Sequence, residues 1–185
     1  MKIKNLLVTT LAVAAGLTLT ACQSDKSEGA STSQEGEAVT LNFGAMVSID
    51  TIPLVIAQEN GYFEEEGIKV NLELFNAAKD RDAALQAGQL DGVLADETAI
   101  AIYQNSDMDM QITGATNGYW TLVATEQSNI HSLEDLKGKK IGISENTMIE
   151  YLADDIALSN GLEVSDIEKV AIAAMPARLD AVKNN

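Results

Sequence analysis

From residue 39 onward the chain contains a series of short apolar runs separated by polar residues, and the spacing of the apolar residues differs from one run to the next. Val39, Leu41 and Phe43 recur at every second residue, as do the apolar positions in 68–74, and this period is typical of strands. Other runs lack this alternation, and three of them, at 53–59, 80–87 and 148–159, are followed closely by a glycine, which is typical of helix ends. We predict strands at 39–44, 68–74, 90–95, 110–115, 120–125, 141–144 and 167–173, and helices at 53–59, 80–87, 97–103, 148–159 and from Pro176 onward.

Strands separated by helices favour an α/β fold of mainly parallel sheets with helices on both faces. Ligands of such sheets bind beyond the carboxyl ends of the strands, beside helix N-termini. Three polar turns occupy such positions here, and we predict ligand contacts from each of them. The candidate residues are Ser48, Asp50 and Thr51 in the first turn, Asp96, Glu97 and Thr98 in the second, and Ser144, Asn146 and Thr147 in the third.

The same turns also have purely structural explanations. Capping of the following helix by Asp50 or Thr51 would contribute about 1 kcal/mol. Asp96 and Glu97 would be stabilised by the positive end of a helix dipole. Both explanations stay open beside ligand contact. The third turn is expected to offer free backbone N–H groups to an anionic or carbonyl-bearing ligand.

The only tryptophan lies between two predicted strands, where a two-lobed protein would cross from one lobe to the other. Tyr119 or Trp120 could stack there on a flat ligand, since aromatic faces favour such contacts. Packing in a core or an interface is the alternative.

Residues 1–21 have the pattern of an export signal peptide. Lys2 and Lys4 precede an uncharged, largely apolar segment that is shorter than the roughly 20 residues of a membrane-spanning helix. The segment Leu19-Thr20-Ala21-Cys22 resembles a bacterial lipobox, which implies lipidation of the Cys22 thiol and cleavage before it. A chance cysteine after an ordinary cleavage site is the alternative. Cys22 is the only cysteine, so a disulfide within the chain is excluded.

Residues 22–38 contain no aromatic residue, leucine, isoleucine or valine, which predicts a flexible tether. The formal net charge of −16 argues against partners such as nucleic acid or anionic lipid. One histidine and one cysteine form no recognisable zinc or catalytic set, so we expect no metal, no cofactor and no enzymatic activity.

Three segments in combination resemble an ABC-transporter solute-binding protein: IPLVIAQENGYFEEEGIKVNLELF, ALQAGQLDGVLADETAIAI and IHSLEDLKGKKIGIS. The resemblance is to the type II periplasmic-binding fold, in the branch that binds taurine, aliphatic sulfonates, nitrate and thiamine-pyrimidine precursors. It implies lobe one at 39–115, lobe two at 116–185, and a small molecule trapped between them. It also implies delivery of the ligand to a permease driven by an ATPase. We expect a monomer, and the lipobox independently implies that acyl chains (palmitate) on Cys22 anchor it to the extracytoplasmic face of the cell membrane.

Two other functions are weighed against transport. One relative of this fold makes the thiamine pyrimidine and carries a cysteine-rich motif, which this chain lacks beyond Cys22. A membrane-tethered ligand sensor fits the sequence as well as a transport receptor does.

The family pattern continues beyond the present chain. Residues 178–185 resemble the beginning of the helix–glycine–strand unit at 82–91, so we predict an incomplete second lobe and a truncated chain. A genuine short protein with a reduced second lobe is the alternative. The candidate turns contain Asp50, Asp96, Glu97 and Glu145 and neither of the two arginines. This composition favours a neutral or amine-bearing ligand such as a pyrimidine, with sulfonate or nitrate as the alternative.

Overall fold

The computed structural model describes residues 39–184, in which two parallel β-sheets alternate with six α-helices. The predicted signal peptide, tether and Cys22 lie outside the described residues. The first sheet contains β1 (Val39–Met46), β2 (Ile68–Phe75) and β3 (Gly92–Val93), and the second contains β4 (Lys140–Ile143) and β5 (Glu168–Ala171). The helices are α1 (Ile52–Glu59), α2 (Tyr62–Glu65), α3 (Ala78–Gln86), α4 (Glu97–Asn105), α5 (Met148–Ser159) and α6 (Met175–Lys183). The predicted α/β fold with parallel sheets is confirmed.

The first sheet has the strand order β2-β1-β3, with β1 parallel to both neighbours. The register of β1 against β2 runs from Val39 opposite Ile68 to Met46 opposite Phe75. Gly44, in β1, allows a close approach, because a Cβ there would lie 2.6 Å from Leu90 Cδ1. Because the three strands are parallel, their carboxyl ends lie at the same edge of the sheet, and the first two polar turns begin there.

The helix limits agree closely with the sequence pattern where local capping signals exist. Helix α5 begins and ends at the predicted residues, and Thr147 caps it by accepting a hydrogen bond from the Ile149 N–H. Gly61 and Gly161 follow α1 and α5 with φ of 76° and 75°, a left-handed conformation that glycine adopts without strain.

Three strand predictions need correction. The predicted strand at 90–95 is reduced to Gly92–Val93, and residues 110–115 and 120–125 adopt no regular secondary structure. A strand is stable only beside a partner that pairs with its backbone. The described residues supply no such partner for these two segments, so their strand propensity alone does not produce a sheet.

Each sheet packs on its own hydrophobic core. The core of the first sheet consists of Ala84, Leu85, Leu90, Ala99 and Tyr103. The core of the second sheet consists of Leu136, Ile141, Ile143, Ala153, Ala157 and Ile167. Two separate cores are the packing expected of two lobes. Among residues 39–184, no helix combines the length and the apolar content needed to cross a bilayer.

Candidate functional site

The first polar turn, after β1, is closed by its own side chains. The Thr51 hydroxyl donates to the Met46 carbonyl at 2.7 Å, and the Ser48 hydroxyl donates to the Asp50 carboxylate. Thr51 occupies the N-cap position of α1, but neither Asp50 nor Thr51 makes a side-chain capping hydrogen bond to that helix, so the predicted capping contribution is not formed in this turn. Thr51 is buried, Ser48 is half-buried and Asp50 is exposed, which leaves the Asp50 carboxylate facing solvent.

The second turn joins the two sheets through Asp96. Its Oδ1 accepts from the Ala99 N–H at 2.9 Å and caps α4, while its Oδ2 accepts from the Met148 N–H at 3.3 Å. The Thr98 hydroxyl also lies 4.0 Å from the Met148 sulfur. Asp96 therefore has a structural role as the N-cap at the positive end of α4. The same carboxylate brings the second turn against the N-terminus of α5.

The third turn is closed by hydrogen bonds at the beginning of α5. The Thr147 hydroxyl donates to the Ser144 carbonyl at 2.8 Å and accepts from the Ile149 N–H at 3.2 Å. The Asn146 N–H donates to Glu150 Oε2 at 2.9 Å. Ser144 and Thr147 are buried and Asn146 is exposed. The expectation of free backbone N–H groups is wrong for these amides, because protein oxygens already accept from them.

The other predicted site residues lie at the surface. Glu97 is exposed in the first turn of α4. Tyr119 is 90% exposed and Trp120 is 56% exposed, in a segment without regular secondary structure. Neither ring contributes to the two described cores. Both rings are thus accessible, although the structure does not bring them against the three turns.

The first turn lies beside α6 rather than beside α5. The Met175 N–H donates to the Asn76 carbonyl at 3.1 Å, which joins the end of β2 to the beginning of α6. A cavity of about 260 Å³ opens at this contact, and it is lined by Val47, Asn76, Met175, Pro176 and Leu179. The two sheets therefore meet at two places, one at Asp96 and one at Asn76.

A second cavity of about 380 Å³ lies between α3, α4 and the third turn. Its polar lining consists of Lys79, Asp82, Gln86, Tyr103, Glu145 and Asn146. Among the residues predicted to bind a ligand, only Asn146 lies in this lining. The part of this groove that α3 and α4 contribute was not predicted from the sequence.

At the base of this groove a buried arginine is paired. The Arg81 side chain is 3% exposed, and its Nε and Nη2 donate to Asp82 Oδ1 at 2.9 and 2.7 Å. Its Nη1 donates to the Leu94 carbonyl at 2.8 Å, and the Tyr103 hydroxyl donates to the same oxygen of Asp82. One carboxylate oxygen thus serves three donors, and the cluster fixes α3 against α4.

The cluster shifts the ionisation of its members. Burial, followed by the hydrogen bond to Asp82, raises the pKa of Tyr103 above its ordinary value. Burial, the largest single cause, acts to lower the pKa of Arg81, but the charges and hydrogen bonds of Asp82 and Tyr103 together outweigh it, so the pKa is raised. A local signal could have revealed the cluster. Arg81 shares one face of α3 with Ala84 and Leu85, and an arginine on a buried face requires a partner.

The second sheet has its own charged groups near α5. Lys169 Nζ lies 3.2 Å from Glu150 Oε1 and 2.9 Å from Asp154 Oδ1. The hydrogen bond from the Asn146 N–H, with a further contribution from Lys169, lowers the pKa of Glu150. Arg178, at the beginning of α6, donates to the carbonyls of Ile172 and Ala173 at 2.7 and 3.0 Å, and burial lowers its pKa.

Within the described range, no group of three or more histidine, cysteine, aspartate or glutamate side chains is placed to hold a metal ion.

Comparison with solved structures shows the class of fold. The alkanesulfonate-binding protein SsuA from Xanthomonas axonopodis pv. citri, bound to MOPS, is 21% identical with a TM-score of 0.63, over 78% of this chain and 51% of that chain. The periplasmic aliphatic sulphonate binding protein SsuA from Escherichia coli is 21% identical with a TM-score of 0.55, over 77% and 50% of the two chains. The fold is that of the type II periplasmic-binding proteins.

The chain belongs to the NMT1/THI5-like family, whose model matches residues 48–183, most of its length. A curated Haemophilus influenzae protein, named for thiamine biosynthesis, is 25% identical over 146 residues, which are 74% of this chain and 44% of that protein. The chain spans about half the length of these relatives.

Proposed function

We propose that this protein is the extracytoplasmic substrate-binding lipoprotein of an ABC importer and that it captures a small polar metabolite between two lobes. The observation that carries the proposal is the contact of Asp96 with the N-terminus of α5, which brings polar turns from the two sheets together. Ligands of α/β proteins bind at such strand-end positions. Membership of the NMT1/THI5-like family and the fold shared with SsuA support the same role.

In this proposal lobe one comprises residues 39–115 and lobe two comprises residues 116–185. Ser48, Asp50 and Thr51, together with Asp96, Glu97 and Thr98, contact the ligand from lobe one. Ser144, Asn146 and Thr147 contact it from lobe two, with Tyr119 or Trp120 at the rim. Ligand contacts with both lobes favour a closed arrangement, since a ligand stabilises the state in which it makes more contacts.

We propose a neutral or amine-bearing ligand, such as a pyrimidine. The structural relatives are named for alkanesulfonate or aliphatic sulphonate binding, and the Haemophilus influenzae relative is named for thiamine biosynthesis. The carboxylates of Asp50, Glu97 and Glu145 are exposed near the turns and disfavour an anion.

A thermal-shift screen with the full chain tests the ligand class. Hydroxymethylpyrimidine and related aminopyrimidines are expected to raise the Tm, because a ligand that binds only the folded state stabilises it. Taurine, methanesulfonate and nitrate serve as anionic competitors. A rise in Tm with the anions alone would reject the proposed ligand class, and no rise with any compound would reject the binding function.

Substitutions at the aromatic pair test the rim of the site. Trp120→Ala is expected to lower the affinity for a pyrimidine about tenfold, since loss of one stacked ring costs about 1 to 1.5 kcal/mol. Tyr151→Ala is a matched control, because Tyr151 is an exposed aromatic on α5 outside the three turns. Equal affinity for the wild type and Trp120→Ala would exclude stacking at this position.

We also propose that Cys22 carries the lipid anchor. Expression in a bacterial host is expected to give a mature protein that begins at an acylated Cys22 and partitions with membranes. Cys22→Ser removes the thiol and is expected to abolish acylation. Intact-mass measurement of wild type and Cys22→Ser detects the added acyl groups. An unmodified Cys22 in the wild type would refute the lipid anchor.

A second candidate function is an enzyme of thiamine-pyrimidine synthesis, which the name of the Haemophilus influenzae relative favours. Recovery of the ligand separates the two candidates. A binding protein returns the pyrimidine unchanged after incubation and denaturation, whereas an enzyme returns a product of different mass. Dependence of uptake on the permease and its ATPase would in turn distinguish an importer component from a tethered sensor.

A further inference from the structure

Asp96 makes hydrogen bonds to helices of both sheets with one carboxylate. Oδ1 accepts from the Ala99 N–H at 2.9 Å, in α4 of the first sheet's lobe. Oδ2 accepts from the Met148 N–H at 3.3 Å, in the first turn of α5. Among the described residues, no lysine or arginine pairs with Asp96, so its charge is balanced only by these backbone donors.

The N-terminus of α5 is therefore already occupied. A helix N-terminus attracts anions because its unpaired N–H groups and the helix dipole present positive charge. Here the Met148 N–H donates to Asp96, the Asn146 N–H donates to Glu150, and the Ile149 N–H donates to the Thr147 hydroxyl. Two of these three acceptors are carboxylates.

The carboxylates of Glu150 and Asp96 differ in whether a cation compensates their negative charge. Lys169 Nζ lies 3.2 Å from Glu150 Oε1, so a cation compensates the Glu150 charge. Asp96 comes from the other lobe and has no such partner in the described part of the chain. It is therefore the group that an incoming anion would have to displace from α5.

We propose that Asp96 makes the cleft selective against anionic ligands, because its carboxylate takes the α5 amide that would otherwise receive an anionic group. This inference rests on the proposed binding function and specifies the residue that sets its ligand class. An anion would lose the amide donor and would also meet a negative charge that, among the described residues, no lysine or arginine pairs with. A neutral or amine-bearing ligand meets neither obstacle, and an amine gains a charged acceptor.

Asp96→Asn tests the proposal. The amide oxygen still accepts from the Ala99 N–H, and asparagine is a good N-cap, so α4 keeps its first turn. The change removes the charge and one acceptor oxygen. Asp155→Asn is the matched control, because Asp155 is exposed further along α5 and undergoes the same change of charge. Asp96→Ser, which also keeps a capping oxygen, is the second variant should Asp96→Asn fold poorly.

Two measurements on the full chain give the answer. In Asp96→Asn, amide hydrogen exchange at Met148 is expected to accelerate about tenfold, while exchange at Ala99 stays unchanged, since exchange reports local loss of a hydrogen bond. Methanesulfonate, followed through the Met148 amide resonance, is expected to bind Asp96→Asn at least about tenfold more tightly than wild type, a difference of about 1.4 kcal/mol.

The proposal is overturned if methanesulfonate binds wild type and Asp96→Asn equally, or if Asp155→Asn gives the same gain in affinity. Unchanged exchange at Met148 would overturn it as well. Exchange is measured without ligand, so its outcome is independent of the proposed function. A wild type that binds no pyrimidine, combined with an Asp96→Asn variant that gains methanesulfonate binding, would reject the proposed function and retain the role of Asp96.

Discussion

Replacement of Asp82 by alanine is expected to destabilise the first lobe strongly. The Arg81 side chain is 3% exposed, and Asp82 accepts from its Nε and Nη2 at 2.9 and 2.7 Å. Removal of one partner of a buried ion pair costs about 3 to 5 kcal/mol, because the other charge stays buried without compensation. The Asp82 side chain is 21% exposed, so water reaches the vacated position. This places the expected loss in the free energy of unfolding near the lower limit, at about 3 kcal/mol.

Asp80→Ala provides the control in the same helix. Asp80 is exposed in the first turn of α3, so both substitutions bring the same gain in helix propensity. Loss of its interaction with the helix dipole costs about 0.5 kcal/mol, which the propensity gain offsets. Asp82→Asn, which keeps a neutral acceptor, is expected to fall between the two alanine variants.

Urea denaturation followed by circular dichroism measures the free energy of unfolding for each variant. A loss below about 1 kcal/mol for Asp82→Ala, the size of an exposed ion pair, would refute the view that the pair is buried and structurally required. An equal effect of Asp80→Ala would assign the loss to general charge or helix propensity instead.

Three further predictions follow from other contacts. Gly44→Ala is expected to cost about 2 kcal/mol, because its Cβ would lie 2.6 Å from Leu90 Cδ1; Gly142→Ala, whose nearest contacts are at 3.8 Å, is the near-neutral control in the same denaturation assay. The pKa of Tyr103 is raised by burial, so its stabilising contribution is complete below about pH 10 and is lost as the pH rises above that value; Tyr103→Phe is expected to flatten this alkaline loss in a pH series of urea melts, and an unchanged slope would contradict it. The pKa of Glu150 is lowered by a backbone N–H, so its contribution is present above about pH 4.3 and is lost as the pH falls through the folded-state pKa; Glu150→Gln is expected to remove that acid dependence, and a wild-type profile in the variant would refute the assignment.

The extent to which sequence predicts this fold depends on whether the signal is local. Helix α5 begins and ends at the predicted residues because Thr147 caps its beginning and Asn160-Gly161 closes its end. These signals involve neighbouring residues only. The segments 110–115 and 120–125 have comparable strand propensity, but a strand needs a partner that no local pattern specifies.

The candidate site likewise combines features that local sequence predicts with features that depend on tertiary packing. The polar turns after β1, after β3 and before α5 were predicted from the strand-end rule, and all three exist. The contact of Asp96 with Met148 spans 52 residues of sequence and is a property of tertiary packing. The sequence therefore predicted the turns, but it could not show that the N–H groups of Asn146, Met148 and Ile149 already donate to protein oxygens, and this finding bears most directly on the ligand class.

The contacts between the sheets bear on how such a cleft could close. Each sheet has its own core, and neither core includes a residue of the other. Across the gap, the described residues show hydrogen bonds from the Met148 N–H to Asp96, from the Thr98 hydroxyl to the Met148 sulfur, and from the Met175 N–H to the Asn76 carbonyl, at 3.3, 4.0 and 3.1 Å. Each bond of this kind contributes only about 0.5 to 1.5 kcal/mol net, or somewhat more when one partner is charged. Rotation of one lobe against the other would therefore break few interactions and leave both cores intact. A ligand that contacts both lobes needs only a few kcal/mol of differential binding to shift such an equilibrium. Because Asp96 belongs both to the predicted site and to one of these contacts, we expect a ligand that engages its carboxylate to act on the lobe arrangement directly.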